Sequence, residues 1–83
     1  MAKDRQREAI SSQIARLLRE ERERQNISMN ALAERAGLSR QMVSYIEKED
    51  RNPTIDTLLR ITDVLGVHLE KIIQQARKAA SRE

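Results

Sequence analysis

The chain has 83 residues, of which 39% are hydrophobic and 1% aromatic, so it has room for one small aliphatic core. It has no cysteine, which excludes a disulfide framework and a thiolate metal site, and no apolar run is long enough to span a bilayer. The formal net charge of +3 is compatible with a polyanionic partner without identifying one. We expect an intracellular, cytoplasmic protein.

The first predicted helix runs from about Asp4 to Gln25. One helical stripe of apolar residues favours it, namely Ile10, Ile14, Leu17 and Leu18. Asn26 and Ile27 then form a short connection. Beyond Leu18 the segment is almost wholly charged, and we derive no function for the charged stretch before Leu17.

Two short helices separated by a tight turn follow. Ser28 is a good N-cap for a helix from about Met29 to Ala36, and Ser39 is a good N-cap for one from Arg40 to about Lys48. Gly37 supplies the positive φ that the turn between them needs. The inward positions are Leu32, Ala33, Ala36, Val43 and Ile46. This pattern is typical of a helix-turn-helix over residues 28–48, whose second helix enters a DNA major groove.

Two further helices complete the prediction. After a polar loop from Glu49 to Pro53, Thr54 caps a fourth helix that ends near Gly66. Its predicted inner face is Ile55, Leu58, Leu59, Thr62 and Leu65. A fifth helix begins near His68, with a stripe of Leu69, Ile72, Ile73 and Ala76. The fold class predicted is all-α, a compact five-helix bundle, with residues 1–83 as one domain.

With these residues in order, the chain resembles the phage repressor and Cro-like family of helix-turn-helix regulators, the xenobiotic-response-element class. The resemblance covers roughly Leu17 to Ile73. The matching residues are Ser28, Leu32-Ala33, Ala36-Gly37-Leu38-Ser39, Val43-Ser44, Ile46-Glu47, Arg51-Asn52-Pro53-Thr54, Leu58 and Leu65-Gly66-Val67. Within the family, Arg40, Ser44 and Arg51-Asn52 look most like the controller proteins of restriction-modification systems.

The resemblance implies base readout by the outward face of the third helix, from Arg40, Gln41 and Ser44. Arginine can grip guanine O6 and N7, and glutamine can do the same for adenine N6 and N7. Ser44 is short enough to allow close approach to a base edge or a phosphate. The alternative is that all three are ordinary solvated polar residues.

A second set of residues is expected to contact the DNA backbone: Ser28, Asn30, Ser39, Tyr45, Arg51 and Asn52. Tyr45 is equally suited to covering the edge of the core, and Asn52 to holding a turn with its side chain. Arg22 and Glu47 resemble a pair that joins the first helix to the end of the third in phage repressors. If the pair forms and is partly buried, it orients the recognition helix.

Two positions depart from the family pattern. Met29 stands where relatives often have a glutamine that donates to a phosphate, so Asn30 or the Ser28 hydroxyl is expected to substitute. Glu49 stands where many relatives have glycine. A left-handed backbone at Glu49 would cost on the order of 1 kcal/mol relative to glycine, so we expect the loop to take a different path.

Dimerisation is expected through a region of about residues 64–77, because the fifth helix carries more aliphatic surface than a flanking helix needs. The candidate interface residues are Val67, Leu69, Ile72 and Ile73. A two-fold dimer would place two recognition helices about 34 Å apart and read a palindromic site.

The predicted function is sequence-specific regulation of transcription by a homodimer on double-stranded DNA. RNA polymerase or a cognate protein is a further candidate partner, and activation or repression stays open. The alternative is a protein-interaction module, such as an antitoxin-like adaptor, favoured by Met29 and by the balanced charge around the third helix. We reject an enzyme, because the chain has one histidine and no glycine-rich phosphate loop. No cofactor or metal is expected, since no second histidine or cysteine exists to join His68.

Overall fold

The computed structural model describes residues 2–49 and 52–82, with side chains from Asp4 onward. Five helices make up the fold: α1 (Ala2–Arg24), α2 (Met29–Ala36), α3 (Arg40–Glu47), α4 (Ile55–Leu65) and α5 (Leu69–Ala80). The predicted all-α class is confirmed, and α2 has the bounds expected from the sequence. Among the described residues, no helix is long and apolar enough to cross a membrane.

Local signals set the ends of the three central helices. Ser28, Ser39 and Thr54 lie in extended backbone, and each Oγ accepts a hydrogen bond from the amide three residues on, at 3.0–3.1 Å. Gly37 and Gly66 end α2 and α4 at a φ of +71°. An L residue is disfavoured at this φ, so these two glycines determine where the chain turns.

The core lies between α1, α5 and the three central helices. α1 packs along α5 and also contacts α3 and α4, while α2 packs on α3 and α4. The main cluster of buried side chains is Leu18, Leu32, Ala33, Val43, Ile46, Leu58, Ile61, Leu65, Leu69 and Ile72. Every one of these side chains is aliphatic, as the composition predicts.

The predicted inner face of α4 was wrong at two positions. Ile55 is 63% exposed and Leu59 is 45% exposed, while Ile61, which we left out, is only 2% exposed. Apolar side chains of α4 occupy more than half of its circumference, so its sequence alone is compatible with several orientations of the helix on the core. Packing against α2 and α1 selects the face that carries Leu58, Ile61 and Leu65, and leaves Ile55 and Leu59 outside.

Candidate nucleic-acid interface

Helix α3 has one buried side and one polar, exposed side. Val43 is fully buried and Ile46 is 3% exposed, which fixes the rotation of the helix on the core. Arg40 and Gln41 are exposed on the opposite side, and the half-buried Ser44 lies one turn after Arg40. The structure therefore brings the three predicted base-reading residues onto one face.

The charges near α3 leave Arg40 available. Glu47 is bound to Arg22, and among the described residues no ion pair involves Arg40. Its guanidinium can therefore approach a base or phosphate without first giving up a carboxylate partner. Lys48, which caps the C-terminal end of α3, is also exposed.

Tyr45 is linked to the predicted base-reading face by a hydrogen bond. Gln41 Nε2 donates to the Tyr45 hydroxyl at 2.6 Å, four residues along the same helix. The second Nε2 proton and the Oε1 acceptor of Gln41 are not used in this bond, so the pair of groups that matches an adenine edge is still present. Tyr45 is half-buried and so partly covers the core edge as well.

The predicted pair between Arg22 and Glu47 is present and buried. Arg22 Nε and Nη2 donate to the two Glu47 carboxylate oxygens at 2.7 and 2.9 Å, and Nη1 donates to the Ile27 carbonyl at 2.8 Å. Arg22 is 8% exposed and Glu47 9%. The Glu47 carboxylate raises the pKa of the Arg22 guanidinium, against the opposing effect of burial. The C-terminal end of α3 is thereby tied to both α1 and the connection after it.

The start of α2 explains the departure at Met29. Its side chain is half-buried and packs against the core, so it serves as an apolar contact where relatives have a polar donor. Asn30 is exposed beside it. Ser28 and Ser39 use their oxygens as N-cap acceptors, and each hydroxyl proton remains available for a phosphate oxygen.

The expectation that the loop after α3 avoids a left-handed residue was wrong. Glu49 has a φ of +63°, so it adopts the conformation usual for glycine. Its amide donates to the Ile46 carbonyl at 3.2 Å, which closes the end of the helix. Asn52 is exposed beyond this turn, and Arg51 lies outside the described residues.

The residues expected at the dimer interface divide into two pairs. Leu69 and Ile72 are 8% and 5% exposed and belong to the core of this chain, so packing against α1 accounts for them without a second copy. A helical stripe cannot distinguish an internal from an external partner, so a role for these two residues at a dimer interface stays a prediction. Val67 and Ile73 are half-buried at the edge of the core.

Two contacts around the helix-turn-helix were not predicted. Arg60 on α4 donates from Nη1 to the Ala36 carbonyl at 3.4 Å, over the end of α2, and Ser12 on α1 donates to the Glu49 carboxylate. Partners 24 and 37 residues apart leave no periodic signal in the sequence. In the part of the chain that the structure describes, no group of three or more histidine or acidic residues is placed to hold a metal ion.

Comparison with known proteins agrees with this geometry. A family model described as helix-turn-helix matches residues 18–72, which confirms the resemblance to helix-turn-helix regulators. A Methanosarcina mazei protein, provisionally named an HTH-type transcriptional regulatory protein, is 36% identical over 67 residues, covering 81% of this chain and 20% of that protein. An uncharacterized HTH-type transcriptional regulator of Sinorhizobium fredii is 36% identical over 67 residues, covering 80% of this chain and 82% of that protein.

The chain thus spans about a fifth of the length of the Methanosarcina relative and most of the Sinorhizobium relative. No solved structure matches it significantly. The narrower likeness to restriction-modification controllers stays a prediction.

Proposed function

Because this chain belongs to the helix-turn-helix family of transcriptional regulators, we propose that it binds a palindromic DNA operator sequence-specifically as a homodimer. We also propose that it acts in the cytoplasm, where it would meet its DNA. Arg40, Gln41 and Ser44 read bases in the major groove, and Ser28, Asn30, Ser39, Tyr45 and Asn52, together with Arg51, contact the backbone.

One observation carries the proposal: α3 exposes its polar side while the rest of the helix is held rigidly. Val43 and Ile46 fix the inner side, and Glu47 fixes the C-terminal end through Arg22. A helix of eight residues is unstable alone in water, so these contacts keep it formed before DNA arrives. A preformed reading helix favours specific binding, because little conformational entropy is lost when it binds.

Selection of bound duplexes from a random pool, followed by anisotropy titration of the selected site, tests specificity. Replacing Arg40 by alanine should weaken specific binding by about 1–3 kcal/mol and relax preference at one base position. Arg19→Ala is the matched control, since it removes the same charge from an exposed position on α1. Equal affinity for selected and random duplexes at moderate salt would reject sequence-specific readout.

For the dimer, we propose that the exposed side of α4 supplements Val67 and Ile73. Ile55 and Leu59 lie one turn apart on α4 and are the large apolar side chains most exposed among the described residues. Beside them, Arg60 Nε donates to Asp56 Oδ2 at 2.8 Å. An antiparallel two-fold pairing of α4 with its copy would cover both apolar residues and place each acidic residue near the partner's basic one.

Sedimentation equilibrium of the full chain tests this surface. Leu59→Glu should shift the chain towards monomer, because it would place a carboxylate in an apolar contact. Gln6→Glu adds the same charge at an exposed position of α1 and should leave the monomer–dimer equilibrium unchanged. If the monomer–dimer equilibrium of Leu59→Glu equals that of the unaltered chain, α4 is not part of the interface. A chain that stays monomeric on its operator would reject the homodimer.

A further inference from the structure

Gln25 follows the last residue of α1 and connects that helix to the end of α4. Its Nε2 donates to the Leu65 carbonyl at 2.7 Å and to Glu21 Oε2 at 2.9 Å, so both amide protons of the side chain are used. Gln25 is half-buried, and Leu65 is 3% exposed. Gln25 and Leu65 are 40 residues apart in the sequence, so this bond joins two distant segments of the chain.

The Leu65 carbonyl takes its donor from outside its own helix. It belongs to the last residue of α4, and the amides of the next two residues donate to carbonyls further back in the helix, at 3.3 and 3.1 Å. A buried carbonyl without a donor costs free energy comparable to a lost hydrogen bond, and the Gln25 amide removes this cost. The next helix, α5, begins after His68, whose side chain accepts no capping hydrogen bond. The side-chain hydrogen bond at the turn between α4 and α5 thus comes from the end of α1.

The same end of α1 also holds the recognition helix. Arg22, three residues before Gln25, donates to the Glu47 carboxylate at the end of α3. The end of α1 therefore makes one polar contact to α3 and another to α4. Apolar contacts have no preferred direction, whereas a hydrogen bond has a defined geometry, so these two contacts favour one position of α4 relative to α3.

We infer that Gln25 is a positioning residue that sets the half-site spacing accepted by the homodimer. The proposed dimer surface includes Leu59 on α4, and the proposed base-reading residues are on α3. In a two-fold dimer, the offset between these two surfaces in each copy determines the separation of the two reading helices. Gln25 acts through α4 and makes no DNA contact itself. The inference rests on the proposed function for the dimer and its operator, whereas the bond to Leu65 belongs to the free chain.

The ¹³C chemical shift of the Leu65 carbonyl in the free chain tests the bond, because this shift responds to the hydrogen bond that the oxygen accepts. Gln25→Met, which keeps the length of the side chain and removes the donor, should change the shift. Gln25→Lys returns a donor of similar reach and should restore it. Gln6→Met makes the first change at an exposed position of α1 and should leave the shift unaltered. The same Leu65 shift in Gln25→Met as in the unaltered chain overturns the inference.

Operators of altered spacing give the second measurement. Inserting or removing one base pair at the centre of the selected operator moves the half-sites by about 3.4 Å, and the unaltered chain should bind both altered duplexes more weakly. Gln25→Met should reduce this preference by about threefold to tenfold, the factor that corresponds to one hydrogen bond, and Gln25→Lys should restore it.

Ile61→Val is the control for lost stability. It removes one buried methyl group from α4, a loss similar in size to that of one hydrogen bond, so it should weaken binding to all three duplexes alike. A spacing preference that is unchanged in Gln25→Met, or that falls equally in Ile61→Val, overturns the inference. If the unaltered chain shows no spacing preference, the proposed homodimer on a palindromic operator is rejected and the inference with it. A Leu65 shift that still responds to Gln25→Met separates this outcome from a missing bond.

Discussion

Removing one member of the buried Arg22–Glu47 pair should destabilise the protein far more than removing an exposed pair. In Glu47→Leu, the Arg22 guanidinium would keep only its bond to the Ile27 carbonyl while remaining almost wholly out of water. Breaking such a pair from one side costs about 3–5 kcal/mol, and we expect about 3 kcal/mol because both side chains retain slight exposure. A domain of this size would then unfold at a temperature about 12–24 °C lower.

Urea denaturation followed by circular dichroism measures this loss. Arg16→Met is the control, because it breaks the exposed Arg16–Glu20 pair and should cost less than about 1 kcal/mol. The double variant Arg22→Met/Glu47→Leu removes both buried charges and should recover most of the stability lost by either single variant. The reasoning is refuted if Glu47→Leu loses no more than Arg16→Met, or if the losses in the double variant simply add.

Two further predictions concern the turn glycine and acid stability. Gly37→Ala should lower the free energy of unfolding by about 1–2 kcal/mol, because φ is +71° and a Cβ there would lie 3.1 Å from Arg60 Nη1. Gly66 has the same φ, but a Cβ there would meet no atom within 4 Å, so Gly66→Ala should cost less in the same urea titration. The hydrogen bond from Gln25 holds the pKa of Glu21 below its ordinary value of 4.5, despite burial. The stability that the ionised Glu21 contributes is therefore present above pH 4.5 and is lost as the pH falls through the lowered pKa. In Glu21→Gln, the free energy of unfolding should depend less on pH in this acid range. An unchanged pH dependence in this range would contradict the assignment.

Features encoded by local sequence could be predicted. The N-caps at Ser28, Ser39 and Thr54 and the turn glycines Gly37 and Gly66 act on their own neighbours, so they fix helix ends without reference to the rest of the fold. The outward placement of the predicted base-reading residues follows in the same way, because the inward residues of α3 recur at helical spacing.

Features that depend on distant packing could not be predicted. The exposure of Ile55 and Leu59 depends on which side of α4 meets α2 and α1, and the burial of Leu69 and Ile72 depends on α1 lying along α5. A left-handed Glu49 was not expected because of its cost relative to glycine, and its bond to Ser12 joins segments too far apart in sequence to be foreseen. Contacts between segments that are distant along the chain leave no signal in a local sequence pattern.

Helix α1 contacts the end of α3 and the loop after it at two separate points. Arg22 fixes the end of α3, and Ser12, about 15 Å earlier along the same helix, contacts Glu49 at the start of the following loop. Because a helix is rigid over this length, the two contacts fix the end of α3 and the start of the following loop relative to α1. The placement of the α3 residues proposed to contact DNA therefore depends on a helix for which we propose no DNA contact. Substitution of the buried Arg22, unlike that of the exposed Arg19, should consequently alter operator affinity even when every residue proposed to contact DNA is unchanged.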